Sequence, residues 1–528
     1  MDQLTPFDAS GAFRPVAEDS ELRRLAVRGA GVTLLSQGWG LAVQMIATVV
    51  LARLLTPADF GVVAMVTTFS LLLVNFGLNG FTEAVLQREE INDAMASNLF
   101  WINLGAGILL TFGLAAAGSL LARFYGDPRV AHVAVGVSAT IFITSTSVLH
   151  LALIKRAMCF SAVSVNDILA GAVSVAVSIL LAWAGWGYWA LVAGVVVRPL
   201  STSVGAWTLC RWIPRFPRRL VGTTSMVRFA LHVYARFAVN YFARNVDNLL
   251  VGWRFGAISL GFYKKAYDLF ALSAVVQSLT NVAVSALSRL NRDSPEYRRS
   301  ILSIMSVAAF WGLGVGANLT LVGKDVVRLL LGPGWEPAGR IFSFFGPGFG
   351  VVFLYGTHGW IHLSIGRADR WFRWGLVEFG FTFLLFLLAL HWGPAGIAAS
   401  WTLSLWILTI PALWYAGRPI HLGAAPVIGA VWKYFLASML AGGVSALFIP
   451  ELPSFVQASG SANAACRIVT ISLLFGILYL GAVILLHQGC APLYQVGRLL
   501  RETLPRGRYS QPSPVVAGTG SAVKSTVL

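Results

Sequence analysis

Charge is scarce in this chain: 12% of its 528 residues are Asp, Glu, Lys or Arg, while 57% are hydrophobic. Folded domains in water carry about twice that share of charge, so the composition excludes a soluble multidomain protein. Cysteine is almost missing. Cys159, Cys210, Cys466 and Cys490 stand alone without C-x-x-C spacing, which excludes a zinc ribbon and a disulfide framework. No G-x-x-x-x-G-K-[ST] run occurs, so phosphate gripping by a P-loop is excluded. Residues 1–20 hold no basic stretch feeding a short apolar core, and no cleaved signal peptide is expected. Nor does any nucleophile stand beside a base. The expectation is therefore a protein that is not an enzyme, with no catalytic residue, resident metal or cofactor.

What is present is a succession of apolar runs, each about 20 residues and so about 30 Å as helix, the thickness of bilayer hydrocarbon. They lie near 31–52, 60–82, 97–121, 130–153, 162–184, 187–210, 230–253, 260–287, 301–322, 341–364, 372–391, 394–416, 428–449 and 468–487. The fold class expected is all-α, a polytopic membrane protein of about fourteen spans. A net charge of +17 might suggest nucleic acid, but its distribution argues otherwise. Twenty-five of the 39 basic residues fall in alternate short segments, including Arg14, Arg88, Arg156, Arg215, Arg292, Arg367 and Arg418, and eight in the intervening ones. That asymmetry marks a cytoplasmic side and puts both termini there, as in a multi-pass membrane protein.

The chain echoes itself at an offset of 200. LARLLTPADFGVVAMVTTF at 51–69 lies over VGWRFGAISLGFYKKAYDL at 251–269, superposing Gly61 on Gly261, and GWGYWALVAG at 185–194 echoes WGPAGIAASW at 392–401. An even number of spans separates the copies, which implies two lobes of the same orientation, related by a pseudo-twofold along the membrane normal. The divisions expected are a cytoplasmic segment 1–28, an N-lobe 29–212, a linker 213–229, a C-lobe 230–418, two additional helices 419–490 and a mostly disordered cytoplasmic tail 491–528.

One stretch departs from the apolar rule. His232, Arg236, Asn240, Arg244 and Asp247 share about a third of the circumference of the seventh span. An ionisable group near a bilayer centre costs about 2.5–3.5 kcal/mol on insertion scales, so such groups face a bundle interior or a watery path. Arg244 and Asp247 at i, i+3 are either part of that site or a structural ion pair. The eighth span adds Lys264, Lys265 and Asp268, the lysines binding a ligand or snorkelling to the interface. At the matching positions of the first lobe stand Ser36, Gly40, Gln44 and Ala47, polar or neutral, so anion affinity is expected in the second lobe. Glu83, Glu378 and Asp268 are candidates for ion or proton coupling. His358 and His362 at i, i+4 read as a packed, hydrogen-bonded pair rather than metal ligands, since that helix supplies no further ligand. Gly346-Pro347-Gly348 and Pro199 suggest hinges.

Three segments carry a family likeness. LARLLTPADFGVVAMVTTFSLLLVNFGLNGFTEAVLQRE at 51–89, NLFWINLGAG at 98–107 and NVDNLLVGWRFGAISLGFYKKAYDL at 245–269 closely resemble the polysaccharide transporter family of Wzx-type flippases. That family belongs to the multidrug, oligosaccharidyl-lipid and polysaccharide exporter superfamily. The resemblance covers residues 25–420 and implies a V-shaped pair of six-helix lobes around a central cavity. It also implies movement of an undecaprenyl-pyrophosphate-linked glycan to the outer leaflet by alternating access, with membrane lipids, a polysaccharide polymerase and export machinery as partners, and no nucleic acid. On that reading Arg236 and Arg244 match a diphosphate, which guanidinium forks suit. Asn240, His232, Gln44, Ser36 and Asn75 then face the glycan, unless they are helix contacts. One departure is visible: Trp253 stands where relatives carry a basic residue, with Arg254 one place later. A cation exporter would place acidic groups at membrane depth, and a polymerase would want a sizeable outer loop; neither pattern is found.

Overall fold

The computed structural model describes residues 4–14, 38–218, 223–271, 284, 287–450, 460–490 and 494. Ser36, most of the segment 1–28 and nearly all of the tail 491–528 lie outside the described residues. The helices are α1 (Gly38–Leu54), α2 (Pro57–Asn75), α3 (Thr82–Gln87), α4 (Asp93–Tyr125), α5 (Arg129–Ser145), α6 (Val148–Arg156), α7 (Phe160–Trp183) and α8 (Tyr188–Leu209). There follow α9 (Thr224–Ala271), α10 (Pro295–Leu331), α11 (Glu336–Ser364), α12 (Ala368–Ala389), α13 (Gly393–Gly417), α14 (Ala424–Phe448) and α15 (Ser461–His487). Ten helical segments among the described residues are long and apolar enough to cross a membrane, against the fourteen spans expected. The difference lies in α1, described only from residue 38, in α12 and α13, which run together, and in the charge-bearing α9.

Local signals explain the boundaries. In Thr56-Pro57-Ala58-Asp59 the Asp59 carboxylate accepts from the Thr56 N–H at 2.9 Å, and Pro57 opens α2, where a missing N–H costs nothing. Asn92 caps α4 by accepting from the Met95 N–H at 2.8 Å, and Gly126, with φ of 70°, ends it. Between α2 and α3 the chain takes a π-helical turn, Phe76–Phe81.

Gly256 breaks α9 at φ 77° and ψ −178°. Beyond it the chain turns back. The Tyr263 hydroxyl reaches Asp247 Oδ2 at 2.7 Å, whereas that stretch of straight helix would span about 24 Å. The seventh and eighth spans are thus one charged hairpin.

The two copies of the repeat meet at their glycines. A Cβ added to Gly61 would stand 1.7 Å from the Ala257 carbonyl oxygen, and one added to Gly261 would stand 1.9 Å from the Pro57 carbonyl oxygen. Since 57 corresponds to 257 and 61 to 261, each contact is the other with its partners exchanged. That is the reciprocity of a twofold interface, here within one chain. Trp335 closes over it, its Nε1 donating to the Ala52 carbonyl at 2.8 Å and its ring meeting Phe60 and Phe262. The same exchange extends outward. Arg53 donates to the Leu329 carbonyl at 2.9 Å near the end of α10, while Trp253, its counterpart, stacks on Phe124 near the end of α4.

Other close approaches revise an expectation. Gly312 and Gly316 of α10 bring it against Gly346 and Gly350 of α11, and Gly348 faces Thr402 of α13. α11 continues through Pro347, so Gly346 and Gly348 serve tight helix crossings here, and no break marks a hinge. α14 and α15 lie along α10, where Tyr479 donates to the Phe310 carbonyl at 2.7 Å and Arg467 Nε to Asp325 at 3.0 Å. The chain leaving α8 is bound to α4: Asn98 exchanges two hydrogen bonds with the Arg218 backbone, Ser97 accepts from the Arg215 N–H, and Trp212 donates to Asp93.

Gly61→Ala and Gly261→Ala are each expected to destabilise the bundle by about 1–3 kcal/mol, the scale of overpacking. Thermal unfolding in detergent measures this, with Gly443→Ala, which meets nothing within 4 Å, as the unchanged control.

Candidate functional site

His232, Arg236, Asn240 and Arg244 recur every fourth residue on the first half of α9 and are all exposed. Tyrosines hold the neighbouring side of the helix against α2, Tyr241 donating to the Thr68 carbonyl at 2.7 Å and Tyr234 to that of Leu72 at 3.3 Å. The polar line is thereby left uncovered.

Asp247 does not share that line. It is 1% exposed, accepts from Tyr263 and from the Asn248 N–H at 2.8 Å, and is not Arg244's ion partner. A buried carboxylate needs donors, and the hairpin supplies a phenol in place of a guanidinium. Arg244 is left to face Tyr267 on the returning half of α9 and Tyr355 on α11, close enough for its charge to act on both phenols.

The lysines divide. Lys264 pairs with Asp268 at 2.6 Å, the i, i+4 partner that spacing suggests. Lys265 is buried with its ammonium 4.1 Å from the Phe60 ring centroid, joining α9 to α2 beside the glycine contact. It neither snorkels nor offers a free charge.

The remaining candidates are scattered. Gln44, the counterpart of Arg244, is exposed on α1, while Asn75 donates to the Leu71 carbonyl at 2.6 Å and accepts from Asn79 at 3.0 Å, a contact within its own helix. Glu83 is exposed on α3, a helix that packs against α9. Glu378, half-buried on α12, meets the Tyr355 hydroxyl and faces His358. Tyr355 also accepts from Trp374 Nε1 at 3.0 Å. Sequence reasoning passed over Tyr263, Tyr267 and Tyr355, although the first two lie in the G-x-Y-x-x-A-Y pattern that carries the family likeness. The result is one arginine, two carboxylates and three phenols drawn from α9, α11 and α12.

Comparison with known proteins gives this arrangement a context. A family model described as polysaccharide biosynthesis protein matches residues 50–340, more than half of the chain. The chain belongs to that polysaccharide biosynthesis family. Among relatives, it is 21% identical to the succinoglycan biosynthesis transport protein ExoT of Rhizobium meliloti (strain 1021), over 67% of this chain and 72% of that one. It is 22% identical to the teichuronic acid biosynthesis protein TuaB of Bacillus subtilis (strain 168), over 58% and 64%. To the lipopolysaccharide biosynthesis protein WzxC of Escherichia coli (strain K12) it is 21% identical, over 60% and 65%. The chain thus spans slightly less than two thirds of the last two. Its fold matches the inward closed conformation of the lipid II flippase MurJ with a TM-score of 0.65 at 14% identity, covering 88% of this chain and 99% of that one. It also matches an inward-facing multidrug resistance MATE family transporter with a TM-score of 0.55 at 13% identity, over 72% and 94%. This family member is a multi-pass α-helical membrane protein with a transporter fold, not an enzyme.

The hairpin bond is testable. Tyr263→Phe leaves the buried Asp247 short of a donor and should cost about 1–3 kcal/mol, whereas adding Tyr263→Phe to Asp247→Asn should cost less. Thermal unfolding of the four proteins of that cycle measures the coupling.

Proposed function

We propose that this protein moves a polyprenyl-pyrophosphate-linked oligosaccharide repeat unit from the cytoplasmic to the outer leaflet of the bacterial inner membrane, for exopolysaccharide, capsule or lipopolysaccharide synthesis. The observation that carries the reading is the uncovered line of Arg236 and Arg244 on α9 in a member of this family. The apolar tail of such a substrate stays in lipid, and its charged head needs a polar path. Arg236 and Arg244, about 12 Å apart along the helix, offer successive sites for the diphosphate, and Asn240 and His232 lie beside them for sugar hydroxyls. Gln44, exposed on α1, offers a further polar group from the first lobe.

The lobes, 29–212 and 230–418 joined by 213–229, alternate access by rocking about the contact of Gly61 with Ala257 and Gly261 with Pro57. Backbone packs directly on backbone at that contact. The helices of 419–490 ride on α10. Both termini lie in the cytoplasm with the basic loops.

In a deletion strain, complete repeat units should accumulate on the cytoplasmic face, as analysis of lipid-linked intermediates would reveal; unpolymerised units on the outer face would indicate a polymerase instead. Arg236→Ala and Arg244→Ala should each lower surface polymer about tenfold to a hundredfold with insertion intact, the worth of a charge-assisted hydrogen bond. Full export by both variants would sink the site.

A further inference from the structure

The head-group reading leaves unused a row of buried polar atoms on α11. His358 is 5% exposed and His362 is fully buried, and they lie one turn apart. His358 turns Nδ1 to the Tyr355 carbonyl, so its Nε2 carries the lone pair. That Nε2 and both ring nitrogens of His362 have no hydrogen-bond partner among the described residues. Buried polar atoms are rarely left so in apolar surroundings, and three in a row point to ordered water.

The row has two defined ends. At one, His358 lies with its ring centroid 4.5 Å from that of Tyr355, whose hydroxyl meets Glu378; Arg244 of α9 faces the same phenol. At the other, His362 packs 5.7 Å from Tyr415 of α13, over which Arg370 lies at 4.1 Å, with Arg367 and Asp369 at the start of α12 also facing His362. That end belongs to the basic side. The ring centroids of the two histidines are 6.2 Å apart, room for one bridging water between nitrogens.

We propose that His362 and His358 form a proton relay through which Glu378 exchanges its proton with the cytoplasmic side, a route that rests on the transporter reading above. The steps conserve charge and electrons. A proton from bulk water forms an N–H bond on His362; that bond breaks as one forms, across water, on Nε2 of His358. The proton then leaves His358 to form an O–H bond on the Glu378 carboxylate. Both imidazoles return to neutrality.

The test uses the full chain in lipid, with the carboxyl stretch of Glu378 followed by infrared difference spectroscopy after a pH jump and identified by its loss in Glu378→Gln. His358→Leu and His362→Leu should slow the appearance of that band at least tenfold without changing its final size, and free imidazole should restore speed to His362→Ala. Should the leucine variants not fold by circular dichroism and gel filtration, His358→Asn and His362→Asn replace them. Wild-type rates in the folded histidine variants, or no titrating band assignable to Glu378, would overturn the relay. Failure of the transporter reading shows separately, as unpolymerised units on the outer face in the deletion strain.

Discussion

A charge taken into hydrocarbon must bring a partner or keep a wet surface, because solvation lost there is worth several kcal/mol per ion. The charged groups of this bundle obey that constraint one by one. Asp247 is satisfied by a phenol and a backbone N–H, Lys264 by Asp268, Lys265 by the face of Phe60, and Asp325 by Arg467 from the C-terminal addition. Two of them also join separate helices, α9 to α2 through Lys265 and α15 to α10 through Arg467, and the Tyr263 phenol ties together the two halves of α9. Arg236 and Arg244 are treated differently, since the helix bearing them presents both to open space. Structure and proposed function thus draw on the same residue types under opposite conditions, satisfied charges holding the bundle and unsatisfied ones awaiting an anion.

Helix association in lipid gains little from apolar contact, since the tails are as apolar as leucine. Close approach of backbones replaces it. Glycine on α2 and α9, and again on α10 and α11, lets carbonyl groups come within van der Waals reach of the facing helix. Such crossings tolerate no added methyl group.

Much of this was legible in the chain. Apolar run length marked the membrane class, and the superposition of Gly61 on Gly261 located the pair that touches in space, because a glycine retained in both copies answers the same steric need. The bond of Lys264 to Asp268 is the one their i, i+4 spacing permits. Less legible was anything that depends on a turn. A periodicity argument carries His232 through Asp247 along one straight face, but the break at Gly256 brings Tyr263 back beside Asp247 and withdraws that carboxylate from the line. Lys265 was misjudged for the same reason: its partner, Phe60, is remote in sequence and comes near only when the repeats dock. Tyrosine drew no notice because it counts as apolar in hydropathy, yet three phenols organise the charges around Arg244.

The reciprocal contact of residues 57 and 61 with 261 and 257 has an ancestral implication. A surface whose two halves satisfy each other under exchange is self-complementary, so a chain of half this length would meet a second copy of itself through the same backbone atoms. Fusion of two such copies would preserve the seam while releasing each side from identity. Met65 and Lys265, and Gln44 and Arg244, would then be the marks of that release: positions once equal by symmetry, now divided between a neutral half and a basic one.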